Sequence, residues 1–261
     1  YDELVCTAGF REDGTWIRVY PMPFRKLDAR YKKWQWMELD LVKNESDARK
    51  ESYRPYSYDD ISLGDVVDTR DGWAERKKFA LRKVYTDMDA LIREAKDPAV
   101  GTSLAVFKPS EVIDFIWEPC AREWDADKVK AIYGRASQAS LFDSEEEREV
   151  KKHFRIVDKV PYEFSYVFRS EDGKTRKLMI EDWEVGALFH HCMRYYDIGE
   201  EEACRKVREK YFDDFVKTKD LYFFLGTTKK YHSFARNPFI IIGMFLSLIH
   251  ISEPTRPEPI S

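Results

Sequence analysis

Between Trp16 and Trp36 the chain reads WIRVYPMPFRKLDARYKKWQW. Six cations, Arg18, Arg25, Lys26, Arg30, Lys32 and Lys33, stand against a single acid, Asp28, and Trp16, Tyr20, Phe24, Tyr31, Trp34 and Trp36 are interleaved with them. Contact with single-stranded nucleic acid needs this pairing: cations for the phosphates and flat rings on which bases stack, each stack worth ~1–3 kcal/mol. Downstream, Arg49, Lys50, Tyr53 and Arg54 in RKESYRP extend the patch. The candidate nucleic-acid contacts are Arg18, Arg25, Lys26, Lys32, Lys33, Trp34, Trp36, Arg49, Tyr53 and Arg54. The same stretch also reads as a core hairpin, its aromatic residues facing inward beside a solvated basic loop.

Four other groupings could do chemistry. Glu181-Asp182-Trp183-Glu184 offers the clustered carboxylates a metal-dependent nuclease uses to hold Mg²⁺, but acids at a helix start are also ordinary capping residues. His190-His191-Cys192 would present three side chains about 100° apart on a helix, so the three cannot share one metal. Gly226-Thr227-Thr228-Lys229-Lys230 lacks the second glycine of a phosphate loop and reads as a turn; with Arg236 its lysines could touch an anionic ligand if two domains share a cleft. Cys120 has no neighbouring histidine in sequence to activate it. No catalytic residue, resident metal or cofactor is assigned.

The elements that must position these residues begin with a hairpin. Leu4–Ala8 enters, Glu12-Asp13-Gly14 turns, and Thr15–Tyr20 leaves, glycine tolerating the positive φ such a turn needs. Lys33–Val42 alternates as a strand and Ile61–Val67 as a short one. Thr86–Lys96 reads as a helix capped by Thr86 with Asp89 three residues on. Gly101–Trp117 gives two strands around a proline-marked turn. From Ser110 to Val150 there are 11 Asp/Glu against 5 Lys/Arg, an acidic helical connector. Tyr162–Arg169 then alternates, with Phe164, Tyr166 and Phe168 on one face, and Arg176–Ile180 returns from a turn at Gly173. Asp182–Tyr195 and Glu200–Lys217 carry the helical apolar period. LYFFLG and FIIIGMF close the pattern as buried strands.

The pattern of hairpin, further strands, helices and closing strand thus runs twice, without the alternation of a parallel α/β fold. The stretches VCTAGFREDGTWIRVYP, SLAVFKPSEV, FSYVFRSEDGKTRKLMIEDWE and LYFFLGTTKK…FIIIGMF resemble a group of uncharacterised prokaryotic dual-OB-domain proteins. The chain departs from that group at Asp182-Trp183-Glu184 and in its long acidic connector. The resemblance implies an α+β, mostly β fold of two OB-like, partly open β-barrels with helical insertions, and a nucleic-acid role; a fold of this kind supplies no reaction by itself. The expected organisation is a first OB-like domain at 1–118, an acidic connector at 119–158, a second OB-like domain with two helices at 159–245, and a non-native tail at 246–261. The tail expectation rests on LSLIHISEPTR, which resembles the in-frame translation of a sequencing-library transposase adapter; the opening at Tyr1 adds the expectation that native residues lie beyond both ends.

Composition bounds the rest. The chain has 261 residues, enough for one large or two small domains, and 17 Phe, 15 Tyr and 7 Trp furnish ample core. Its net charge of −4 provides no global attraction to nucleic acid, so such binding must be local. The four cysteines, Cys6, Cys120, Cys192 and Cys204, are scattered without a CxxC pair, which argues against a zinc ribbon or a disulfide framework and for a reducing cytoplasm. The apolar run Pro238–Ile251 is too short for a spanning helix, and no membrane association is expected. The functional expectation is a module that binds single-stranded nucleic acid or a nucleotide through the basic-aromatic patch. The alternatives are a protein-interaction domain and a metal-dependent nuclease using Glu181, Asp182 and Glu184.

Overall fold

A computed structural model describes residues 4–23, 31–58, 60–126 and 158–248. The fold is α+β with more strand than helix. The first hairpin forms as the alternation requires: β1 (Leu4–Phe10) pairs antiparallel with β2 (Trp16–Pro23), Gly14 taking φ 76° in the turn. The stretch 33–42 splits into β3 (Gln35–Glu38) and β4 (Leu41–Lys43). β5 (Ser52–Pro55), which shows no period-2 pattern in sequence, pairs antiparallel with β4 and parallel with β2, giving the sheet order β1-β2-β5-β4. β6 (Ser62–Val66) pairs with β3.

Helix α1 (Arg70–Ala80) carries left-handed residues at Asp71, Gly72 and Trp73. After β7 (Val84–Tyr85) comes α2 (Met88–Lys96). Its cap is Asp87 rather than Thr86: the Asp87 carboxylate accepts from the amides of Asp89 at 2.8 Å and Ala90 at 3.1 Å, satisfying two donors at the helix start.

β8 (Leu104–Phe107) and β9 (Glu111–Pro119) form around the proline turn. Although 101–117 lies in the half expected to be the first domain, β8 is bonded to β12 (Lys219–Thr227) and β9 to β10 (Tyr162–Arg169). β11 (Thr175–Met179) pairs with β10 across the turn at Gly173. Helices α3 (Trp183–Tyr195) and α4 (Glu200–Arg208) follow; a π-helical turn (Glu209–Asp214) and α5 (Phe215–Thr218) continue the second of them. β12 then pairs antiparallel with β13 (Phe239–Leu248). β13 therefore runs past Phe245, Leu246 pairing with Leu221 and Ser247 with Asp220.

Two sheets, β11-β10-β9 and β13-β12-β8-β7, share one core, Phe107 and Phe223 of the second touching Phe168 and Tyr166 of the first. Past β11, Ile180 makes a parallel bridge to Ile241 of β13, and the Glu181 amide donates to the Ile241 carbonyl at 2.7 Å. The expected pair of barrels is not seen as such: among the described residues no sheet closes on itself. Phe115, Phe164, Tyr166, Phe168, Phe223 and Ile241 fill the space between the two sheets, with Leu91, Val185, Phe189 and Val207 supplied by the helices. The Tyr166 ring stacks on Phe223 at 5.2 Å, and its hydroxyl donates at 2.5 Å to the Tyr211 carbonyl inside the π-helical turn. Among the described residues no helix is long and apolar enough to cross a membrane, and the four cysteines are unpaired.

Candidate functional site

The structure divides the expected patch instead of assembling it. Arg25 and Lys26 lie outside the described residues. Arg18 and Arg49 are only 3% and 8% exposed, because both are committed to the seam between the two halves of the chain. Arg18 donates from Nη1 to Ser103 Oγ at 2.8 Å and from Nη2 to the Ser103 carbonyl at 3.2 Å, and pairs with Glu51 at 3.4 Å. Arg49 donates from Nε to Asp47 Oδ1 at 2.8 Å and from Nη2 to Oδ2 at 2.5 Å, and also to the Thr227 carbonyl. Ser52 Oγ donates to Asp47 Oδ2 at 2.9 Å. Burial raises the Asp47 carboxyl, but the hydrogen bonds and charge of Arg49 and the Ser52 hydroxyl outweigh it and bring it down to about 2. Buried and hydrogen-bonded in this way, Arg18 and Arg49 hold the seam.

The aromatic members follow the core-hairpin alternative. Trp16 lies 4.0 Å from Phe10 and edge-on to Phe224 at 5.6 Å; Trp34 lies 6.2 Å from Phe10 and 5.7 Å from Phe245. Trp73 joins them 5.5 Å from Phe245, and the Arg76 guanidinium sits 5.4 Å and 5.2 Å from the Trp34 and Trp73 rings. Trp34 and Trp73 both take left-handed backbone, φ 66° and 69°, a strain that the packing of the seam must sustain. Trp36 packs edge-on to Phe79 at 5.4 Å. Tyr53 is half-buried, with Arg11 and Lys43 each 4.9 Å from its ring centroid. Of the expected contacts, Lys32, Lys33 and Arg54 remain exposed, and Lys33 pairs with Glu184 at 2.8 Å.

Nor do the carboxylates converge. Asp182 caps α3, accepting from the Glu184 amide at 3.1 Å, while Glu184 turns to Lys33. Burial pushes the Asp182 carboxyl up, against the pull of Lys33. Among the described residues no group of three or more His, Cys, Asp or Glu side chains is placed to hold a metal. Cys192 is core, His190 Nε2 lies 3.1 Å from the Asp158 carbonyl, and His191 stacks on Tyr195 at 5.1 Å.

What the structure gathers instead is the β12–β13 loop, residues 228–238. It carries Lys229, Lys230 and Arg236, and the chain has no Asp or Glu between Asp220 and Glu253. Tyr231 is exposed and Phe234 is 87% exposed. Turn bonds from the Tyr231 and His232 amides to the Thr228 carbonyl, at 3.2 and 3.0 Å, shape the loop's start, and Thr227 Oγ1 meets His232 Nδ1 at 3.0 Å. Lys230 Nζ sits 5.2 Å from the Tyr231 ring centroid, and Lys229 Nζ reaches Ser46 Oγ of the first half at 3.5 Å. Among the described residues none of the three cations has a carboxylate partner. The sequence reading singled out the three cations but not Tyr231 and Phe234; the signal was in view, as rings interleaved with cations in a segment free of acids. Beside this loop a cleft of about 2410 Å³ separates β1–β3 from α3, and the segments flanking 127–157 contribute to its far wall.

The chain belongs to the family described as a domain of unknown function (DUF8757), which matches residues 84–258. A second domain of unknown function (DUF8758) matches residues 1–82. The division thus falls just before β7, and the DUF8757 match reaches beyond Leu246. No curated protein and no solved structure matches the chain.

Proposed function

We propose that this protein binds single-stranded nucleic acid, and that the contact surface is the 228–238 loop rather than the Trp16–Trp36 stretch. The observation that carries the reading is the loop itself: Lys229, Lys230 and Arg236 for phosphates, exposed Tyr231 and Phe234 for bases, and no acid nearby in sequence. Single-strand binders combine these two elements, and stacking tolerates any base.

The strand pairings support an OB-like architecture behind the loop. β9 pairs with β10, β10 with β11, Ile180 past β11 bridges in parallel to β13, β13 pairs with β12, and β12 with β8. If β8 and β9, three residues apart, are taken as one bent strand, this is a circuit of five strands with one parallel contact and the helices inserted before the fourth. That is the pattern of a five-stranded, partly open Greek-key barrel, in which the loop between the last two strands is one of the ligand-binding loops. The first half has a parallel contact of its own, β2 with β5, and on it the two-barrel reading extends to residues 4–66. The resemblance to dual-OB-domain proteins points the same way.

The test is fluorescence polarisation of labelled single-stranded DNA and RNA across a salt series, on the full chain and on a Lys229→Ala/Lys230→Ala/Arg236→Ala variant. Each phosphate contact on a single strand contributes ~0.7 to the slope of log affinity against log salt, so the variant loses a slope of about 2. Phe234→Ala, exposed and therefore harmless to folding, weakens binding by about fivefold to about a hundredfold, as ~1–3 kcal/mol per stacked base requires. Absence of binding at low salt, or a triple variant that binds with the wild-type slope, refutes the proposal.

A further inference from the structure

Resting on the loop reading above, we infer that His232 is a proton-switched phosphate contact of the 228–238 loop, a fourth cation that the loop acquires on mild acidification. His232 stands in the turn between Lys230 and Arg236, its amide bonded to the Thr228 carbonyl at 3.0 Å. Bonds from the Phe234 and Ala235 amides to the Tyr231 carbonyl, at 3.3 and 3.0 Å, hold the backbone on either side of it. The half-buried ring is tied by Nδ1 to Thr227 Oγ1 at 3.0 Å, and Nε2 has no hydrogen-bond partner among the described residues. Thr227 is itself fixed: its amide donates to the Ser103 carbonyl at 3.0 Å, and its carbonyl accepts from Arg49. The imidazolium keeps this anchor, with Nδ1–H donating to the hydroxyl oxygen, and leaves Nε2–H for a phosphate oxygen.

Four charged groups of the first half act on the ring. Arg49 and Arg18 oppose its proton, while Glu51 and Asp47 favour it. Each acid is paired with one of these arginines, Glu51 with Arg18 at 3.4 Å and Asp47 with Arg49 at 2.5 Å. In its own loop Lys229, Lys230 and Arg236 add three more cations and no acid. Burial first, then the Arg49 charge, holds the imidazole below its ordinary value, so the ring of the free protein is neutral at neutral pH. A phosphate bound beside the three cations offsets that repulsion and favours the charged form. Proton and strand then tighten each other by the same factor, and affinity rises as pH falls through the titration of the ring.

The test is polarisation with a labelled oligothymidylate, whose bases do not titrate in this range, from about pH 7.5 to about pH 5.5. The full chain is compared with a His232→Asn variant, which can still bond to Thr227 but takes up no proton. Carboxylates and the other histidines titrate in both proteins and cancel. The two should bind alike at the upper pH; at the lower one the wild type should be about threefold or more the tighter, its salt slope steeper by up to ~0.7. His190→Gln with His191→Gln, on α3, should keep the wild-type pH dependence. In the wild-type protein, the imidazole NMR titration of His232 should move to higher pH when the oligonucleotide is added, a readout that needs no variant to fold. Binding that gains no more in wild type than in His232→Asn, or a titration that the oligonucleotide does not move, overturns the inference and leaves the loop reading standing. No binding at either pH refutes both.

Discussion

Asp47→Asn tests whether the seam between the two halves is held by charge. In the native chain the carboxylate accepts two bonds from the Arg49 side chain, one from the Arg49 amide and one from Ser52, and Arg49 in turn donates to the Thr227 carbonyl. Its carboxyl is lowered from the ordinary 3.8 to about 2, and at ~1.4 kcal/mol per pH unit that is about 2 kcal/mol. Because the folded value lies below the unfolded one, this stability is fully present above about pH 5 and is lost as pH falls through 3.8 toward 2. The amide keeps the shape, loses the charge, and presents a donor where Arg49 needs an acceptor. Urea denaturation at pH 7 should therefore show the variant about 2 kcal/mol less stable, with m unchanged. The diagnostic is the difference between the two proteins at lower pH: it should shrink between about pH 4 and pH 2, since the wild type is losing there what the variant never had. Other carboxylates titrate in both proteins and cancel. A difference that stays constant from pH 7 to pH 2, or no difference at pH 7, would refute the assignment of Asp47 as the charged centre of the seam.

Three further outcomes are expected. Tyr166→Phe removes the buried donor to the Tyr211 carbonyl and should cost about 1–3 kcal/mol in urea denaturation; a change below the error of the fit would mean the π-helical turn satisfies that carbonyl another way. Phe245→Ala empties a fully buried ring site touched by Trp34, Trp73 and Phe224, so a loss of about 3–5 kcal/mol is expected, with Trp emission shifting to the red; an unshifted spectrum would place the indoles elsewhere. Residues 1–82 alone should fail to fold, because Arg18, Arg49, Trp16 and Trp34 find partners at Ser103, Thr227, Phe224 and Phe245; a dispersed amide spectrum from that fragment would contradict the packing.

Local periodicity made much of the fold legible. Phe164, Tyr166 and Phe168 alternate with polar neighbours and all three are core; the turns at Gly14 and Gly173 both take φ 76°. β5 and α1 were not legible. Ser52–Pro55 is a strand only because β2 and β4 flank it, and Arg70–Ala80 winds through left-handed backbone at Asp71, Gly72 and Trp73, a conformation natural to the glycine but not to the tryptophan. The burial of Arg18, Arg49 and the tryptophans was not legible for a related reason. A cation beside a ring reads the same whether it faces water or a seam, and only tertiary contacts reveal that Arg18 serves Ser103 and that Trp34 serves Phe245. Loop 228–238 differs in that it joins two long apolar strands, and such a connection runs over the surface; its cations and its rings Tyr231 and Phe234 are exposed, an inference that was available from the sequence.

The lysines that the Trp16–Trp36 segment keeps at the surface give the loop reading its counter-test. Lys32 and Lys33 are exposed, and Lys33 pairs with Glu184 at 2.8 Å. Thr228 and Lys229 of the loop line the same cleft as these two lysines, so an oligonucleotide seated on the loop passes near them. If the loop alone meets phosphates, a Lys32→Ala/Lys33→Ala variant should keep the wild-type oligonucleotide affinity and salt slope. A variant that loses slope in step with the loop variant would mean that the basic Trp16–Trp36 segment also contributes to nucleic-acid contact, through the lysines it keeps at the surface.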